Sequence, residues 1–326
     1  MIIDVFCHIY PQDFLNALAR LKSPLPHVNF AAEIKGGWED FVDADLRLSH
    51  MDRYGVDIQI LSLATPAFES ANPREQIELA RIANEGIAEI VARYPSRFLG
   101  VATLPMLTIE KALEELDYAV DKLGLKGVQI FSNIGGKPLD NAELIPFYEK
   151  VAARGLPLLL HPTWWNYYDW IMEYGMWNIF GWPFDTSLAM GRIVFGGILE
   201  RFPGLKVITH HLGAMTPYFV ERIRGFHDQG QQYPNLSTRA RITKAPLDYF
   251  KLFYGDTAVY GWKPAMLCGL AFFGADHVTF ATDYPFGPEA GERYISNTIR
   301  SVRELEISVE ERETIFSGNA KCLFQI

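Results

Sequence analysis

The 326-residue sequence is short of several things, and each shortage argues against a class of protein. Cysteine is scarce: Cys7, Cys268 and Cys322 are odd in number and far apart, which argues against a disulfide framework. No apolar run approaches the ~20 residues needed to span a bilayer. Basic residues are outnumbered, 30 Lys and Arg against 39 Asp and Glu, and the net charge of −9 is spread along the chain rather than gathered in a tail. That balance argues against nucleic acid or an anionic membrane as the main partner. The N-terminus lacks the basic start and apolar core of a signal peptide, because Asp4 and His8 fall where that core would be. A linker rich in Gly, Pro or Ser is also lacking, and so is an internal repeat. Together these absences predict one soluble, cytoplasmic domain over residues 1–326.

What the chain does have is apolar residues, 49% of the total with 13% aromatic, enough for a large core. Short β-branched runs recur at 2–6, 57–63, 98–104, 126–131, 156–161, 206–211, 252–255 and 277–282. Segments of helical spacing lie between them, among them 74–94, 109–123, 141–154, 187–202, 263–273 and 291–305. Several of these stop at a Pro or Gly, as at Pro95, Gly124 and Pro203. Strands alternating with helices predict a parallel α/β sheet, and eight strands are the number that closes a (β/α)8 TIM barrel. The first run is followed by no Gly-rich phosphate loop, which weakens the case for a doubly wound open sheet. The aromatic segment Trp164–Trp182 is too long for a simple connection and reads as an insertion over the C-terminal mouth.

In such a barrel the active site forms at the C-terminal ends of the strands. His8, His161, the pair His210-His211, and Asp283 each stand where an apolar run stops. One such histidine would be an ordinary hydrogen-bonding residue. Four strand ends carrying imidazole or carboxylate are hard to assign to packing, and these groups suit Zn or Mn. His27, His50, His227 and His277 hold no such positions and read as surface or capping residues.

The arrangement resembles the amidohydrolase superfamily, and within it the decarboxylase branch that acts on aminocarboxymuconate semialdehyde and gamma-resorcylate. The stretches that carry the resemblance are Asp4-Val-Phe-Cys-His-Ile-Tyr-Pro11, Met51-Asp-Arg-Tyr-Gly-Val-Asp57 and His161-Pro162. Glu200–Val207, His211–Pro217, Ala281–Phe286 and the closing Gly318–Phe324 extend it to the end of the chain. The resemblance implies a barrel fold, a divalent metal (zinc first, manganese second), and His8, His161 and Asp283 as its ligands. It implies that His211 sits beside the metal and shares the chemistry with Asp283. The sequence leaves His210 and His211 open, with the spacing to Gly213 and Pro217 favouring His211. Arg47 and Arg222 fall where the family places arginines near substrate carboxylates, a task that suits the planar guanidinium fork.

One position departs from the family pattern. Members carry His-x-His or Glu-x-His at the end of the first strand, where residues i and i+2 share a face. Here the first of these is Phe6, which cannot ligate, and Cys7 points the other way into packing. Phe6 and Trp164 are the expected apolar contacts of a flat substrate. Three protein ligands and a water make an ordinary catalytic set, so the loss need not abolish the site. The leading expectation is a metal-dependent carboxy-lyase acting on a hydroxylated aromatic or dienoic carboxylate, with a homodimer or higher homo-oligomer as its assembly. A hydrolase or hydratase of the same superfamily, or a metal-poor variant, is the alternative. A barrel that has lost catalysis is the third reading, supported by Phe6 alone.

Overall fold

The structure, a computed structural model, describes residues 1–21, 39–65, 68, 71–163, 169–233 and 240–326. Eight strands follow in order: β1 Ile3–Ile9, β2 Ile58–Leu63, β3 Phe98–Gly100, β4 Val128–Phe131, β5 Pro157–His161, β6 Lys206–Thr209, β7 Tyr254–Asp256 and β8 Val278–Thr279. Every ladder between neighbours is parallel, in one run from β1 to β3 and another from β4 to β8. Bridges from Ala102 to Val128 and from Cys7 to Tyr284 join the two runs. Val5 N–H donates to the Phe280 carbonyl at 3.0 Å, and His8 N–H donates to Tyr284 at 2.7 Å. These contacts close the α/β barrel.

Parallel strands covered on both faces need apolar residues throughout, and β1 is buried along its whole length. Phe6, Ile60, Val101, Leu159, Ile208 and Ala281 belong to one buried cluster that fills the barrel interior below the strand ends. The helices pack outside and begin where the sequence signals a start. Asn72 and Glu75 form a capping box ahead of the helix Pro73–Arg93, and Asp43 caps Ala44–Tyr54. Among the described residues no helix is long and apolar enough to cross a membrane.

Several elements differ from the sequence expectation, β3 among them, which stops at Gly100 rather than residue 104. β8 ends at Thr279 rather than residue 282, because side chains replace the ladder beyond it. Ala281 N–H donates to Thr257 Oγ1 at 2.8 Å, and Thr282 N–H donates to Asp4 Oδ1 at 3.1 Å. The helix expected over 187–202 starts earlier, at Trp182, with Pro183 in its first turn, and breaks at Gly196-Gly197. His50, expected at the surface, is buried, 2.9 Å from the Tyr284 hydroxyl and 2.8 Å from Asp40.

Candidate metal centre and active site

His8 lies near the end of β1, His161 closes β5, His210 follows β6, Asp256 closes β7, and Asp283 stands beyond β8. All five are buried. One nitrogen or carboxylate oxygen from each of His8, His161, His210 and Asp283 lies within 4.8 Å of the others. His8 Nε2 is 3.0 Å from Asp283 Oδ1 but is not aligned for a hydrogen bond, so this buried nitrogen is left without a hydrogen-bond partner. A buried orphan of that kind calls for a missing partner, and a cation is one. The outer edges of the rings are held as metal-binding imidazoles are. Ser62 Oγ meets His8 Nδ1 at 3.1 Å. His161 Nδ1 donates to the Pro162 carbonyl at 2.6 Å, which leaves its Nε2 as the lone-pair nitrogen. The residues present fit a divalent cation.

The electrostatics agree with that fit. Burial lowers the pKa of His8. Burial, then the neighbouring His8 and His210, hold His161 well below the ordinary imidazole value. Burial would raise Asp283, yet His210 beside it outweighs burial and keeps the carboxyl well below the usual range. Neutral imidazoles around an ionised carboxylate are the protonation states a cation requires. His210 itself lies between two carboxylates: Nδ1 bonds Asp256 Oδ2, and Nε2 is 3.1 Å from Asp283 Oδ1. Burial opposes charge on this ring, but Asp256 and Asp283 overcome it and lift the pKa to about 10 when no cation is present.

His211 is displayed by an unusual turn. His211, Leu212 and Ala214 have φ of 54°, 55° and 52°, and Asp283 has 66°, values that non-glycine residues seldom adopt outside functional sites. Two features hold the turn. Leu212 N–H donates to Asp256 Oδ1 at 3.1 Å, and the Leu212 side chain packs where a Cβ on Gly269 would come within 2.2 Å of it. The result places His211 Nε2 3.8 Å from Asp283 Oδ2, with 11% of its side chain exposed where His8 and His210 have none. His211 is therefore the ring of this group open to a substrate. Burial, then the charge of His210, lowers its pKa.

Other expected site residues fall elsewhere. Phe6 is fully buried under the cluster, its ring stacked on His210 at 4.2 Å and 21°, so it supports a site residue rather than meeting solvent. Arg47 is neither a solvated helix residue nor an open carboxylate clamp. Its terminal nitrogens donate to the carbonyls of His8 at 2.5 Å and Asp40 at 2.9 Å and to Gln59 at 3.0 Å, bracing β1 from behind. Arg222 is exposed on the helix Val220–Gln232, its guanidinium 4.8 Å from the Phe226 ring, and one chain does not bring it into the buried cluster. Trp164 lies outside the described residues. Trp182, at the far end of the same aromatic segment, is buried edge-to-face against His161, with centroids 5.8 Å apart.

Sequence reasoning missed Asp256 and Tyr260. Asp256 stands just past the seventh apolar run in Phe253-Tyr-Gly-Asp256, a strand-end signal of the same kind as Asp283. Tyr260 donates its hydroxyl to Asp283 Oδ2 at 3.0 Å and stacks on Tyr294, and nothing in its local sequence announces that.

A closed parallel barrel with imidazoles and a carboxylate gathered at its C-terminal strand ends defines a class, the barrel enzymes built around a metal. The chain belongs to the amidohydrolase family, whose model matches residues 3–326. It is 34% identical over 280 residues to a 2-amino-3-carboxymuconate-6-semialdehyde decarboxylase of Dictyostelium discoideum, covering 85% of this chain and 75% of that one. It is 33% identical over 306 residues to a gamma-resorcylate decarboxylase of Polaromonas sp. strain JS666, covering 90% of both. Among solved structures, 5-carboxyvanillate decarboxylase from Sphingomonas paucimobilis superposes with a TM-score of 0.87 at 26% identity, over 100% of this chain and 99% of that one. A dihydroxybenzoic acid decarboxylase from Polaromonas sp. JS666, solved with bound manganese and 2-nitroresorcinol, gives 0.77 at 26% identity over 99% and 96%.

Proposed function

We propose that this chain is a metal-dependent, non-oxidative decarboxylase of a hydroxylated aromatic or dienoic carboxylate. The observation that carries the reading is the convergence of His8, His161, His210 and Asp283 from separate strand ends to within 4.8 Å. The cation is zinc or manganese; manganese is the ion bound in the related dihydroxybenzoic acid decarboxylase structure. When bound, the cation draws negative charge from the carboxylate and the neighbouring oxygen of the substrate. His8, His161 and Asp283 would hold it. His211, the open ring, faces the substrate, and Tyr260 fixes the outer oxygen of Asp283.

The chemistry requires one proton delivered to the carbon that bears the carboxylate, after which the bond to that carboxylate breaks and carbon dioxide leaves. Asp283 and His211, 3.8 Å apart, are the pair placed to relay that proton from solvent, Asp283 itself resting ionised. The buried ring of Trp182 and the partly buried ring of Phe286, both close to the imidazoles, form an apolar wall suited to a flat substrate. The assembly is a homodimer or larger oligomer with Arg222 near the boundary. Tyr218, Phe219 and Phe226 on or beside its helix, with Phe184 and Leu188 on the helix Trp182–Phe195, expose apolar surface that a second copy would cover. Three free cysteines suit the cytoplasm.

The test is a panel of ortho-hydroxybenzoates and dienoic acids incubated in heavy water. Carbon dioxide should be released, with deuterium at the carbon that lost it. Products that are hydrated or ring-opened and keep the carboxylate would replace this reading with a hydrolase or hydratase.

A further inference from the structure

His210 is the site residue that the resemblance leaves without a task. Phe6 occupies the position where the family supplies a ligand from the first strand, and a phenyl ring has no lone pair to give. The structure places the two side chains together: the Phe6 ring lies against the His210 ring at 4.2 Å, nearly parallel. Where a ligand has been lost, an imidazole has been set directly against the vacated position.

The orientation of His210 is that of a ligand. Its Nδ1 is engaged by Asp256, a fully buried carboxylate whose other oxygen accepts from the backbone N–H groups of Leu212 and Ala258. A carboxylate on the outer nitrogen turns the inner one toward the metal and makes it a stronger donor. The inner nitrogen, Nε2, is 3.1 Å from Asp283 Oδ1, and His210 is one of the four residues whose ligand atoms converge with those of His8 and His161. Neither Asp256 nor Phe6 lets the ring rotate away: one fixes its edge and the other its face.

We infer that His210 is a fourth protein ligand, so that the donor lost from the first strand at Phe6 is restored from the end of the sixth. The set becomes three imidazoles and one carboxylate, with Asp256 as a positioning residue. His210 would hold the cation through Nε2 in its neutral form, with Nδ1 still bonded to Asp256. His211 keeps its place beside the site. The inference rests on the reading that the site holds a divalent cation.

X-ray absorption on the wild-type protein loaded with zinc should count three imidazoles; a count of two overturns the inference without the need for any variant. Chelator competition with manganese or zinc then ranks the residues. His210→Ala should weaken binding at least ~100-fold and Asp256→Asn ~10–100-fold, in keeping with the usual cost of removing an outer-shell partner. Phe6→His in the His210→Ala background should recover most of the lost affinity, because it returns the ligand to the first strand. Unchanged metal affinity in His210→Ala sinks this inference and leaves the metal reading intact. A wild-type protein that binds neither metal at micromolar concentration sinks both.

Discussion

Strands β1 to β3 bring one imidazole to the centre, His8, while β5 to β8 bring His161, His210, Asp256 and Asp283. Both halves are parallel and largely buried, so the difference lies in equipment and not in architecture. The first half supplies supports instead. Ser62 holds the outer nitrogen of His8, Arg47 braces its carbonyl, and Asp4 reaches across the seam to Thr282, next to Asp283. The comparison teaches that a ligand can disappear from one half of a barrel when the other half has groups aimed at the same point.

The most severe way to break that division is Asp283→Asn. Turnover, followed as carbon dioxide release, should fall at least ~10²–10⁴-fold, the usual share of a positioned proton donor, with a further loss if the cation leaves. Activity within tenfold of wild type would remove Asp283 from the chemistry. Next in size is Asp4, in the supporting half. Burial raises its pKa from 3.8 to about 7, against the opposing pull of its hydrogen bonds with Thr282. A carboxyl raised in the fold contributes stability that is complete below about pH 4 and lost as pH rises through about 7. Asp4→Asn cannot lose a proton, so its unfolding free energy, read from urea titrations, should fall less than that of wild type across this window. The difference should reach about 2–4 kcal/mol, and parallel profiles would refute it.

His211→Ala should lower turnover by ~10²-fold while metal content stays at the wild-type level, because the ring lies beside the buried group rather than within it. Loss of metal in this variant would move His211 into the ligand set. The smallest effect belongs to Ser62→Ala, which frees the outer nitrogen of His8. Metal affinity should drop about tenfold by chelator competition, with the fold unchanged by circular dichroism.

The sequence was informative wherever function follows from position along one strand. Apolar runs placed all eight strands, and a titratable residue at the end of a run marked His8, His161 and Asp283. It was silent where function depends on which side chains meet across the barrel. His210 and His211 differ by one place in the chain, yet one is locked between Asp256 and Asp283 and the other is turned outward by left-handed backbone. Arg47 shows the opposite failure. The family resemblance at its position suggested a carboxylate clamp, but its hydrogen bonds are to main-chain carbonyls and Gln59, contacts with no sequence signature. Tyr260 joins the site through a left-handed turn, φ 57°, that its neighbours do not predict.

Asp4 and Thr282 are 278 residues apart, and their hydrogen bond belongs to the seam that joins the first strand to the last. Along the last strand, Asn319 Nδ2 donates to the carbonyls of Ala275 and Val278, and Phe280 N–H donates to Ile315. During synthesis this seam cannot form until nearly the whole chain has left the ribosome. At ~5–20 residues per second, His8 spends some tens of seconds beside an unpaired edge before Asp283 is made. The centre is thus assembled late in synthesis. A nascent chain halted between His161 and Asp283 carries His8 and His161 but not the carboxylate that completes them, and metal capture becomes a late event in the life of the polypeptide.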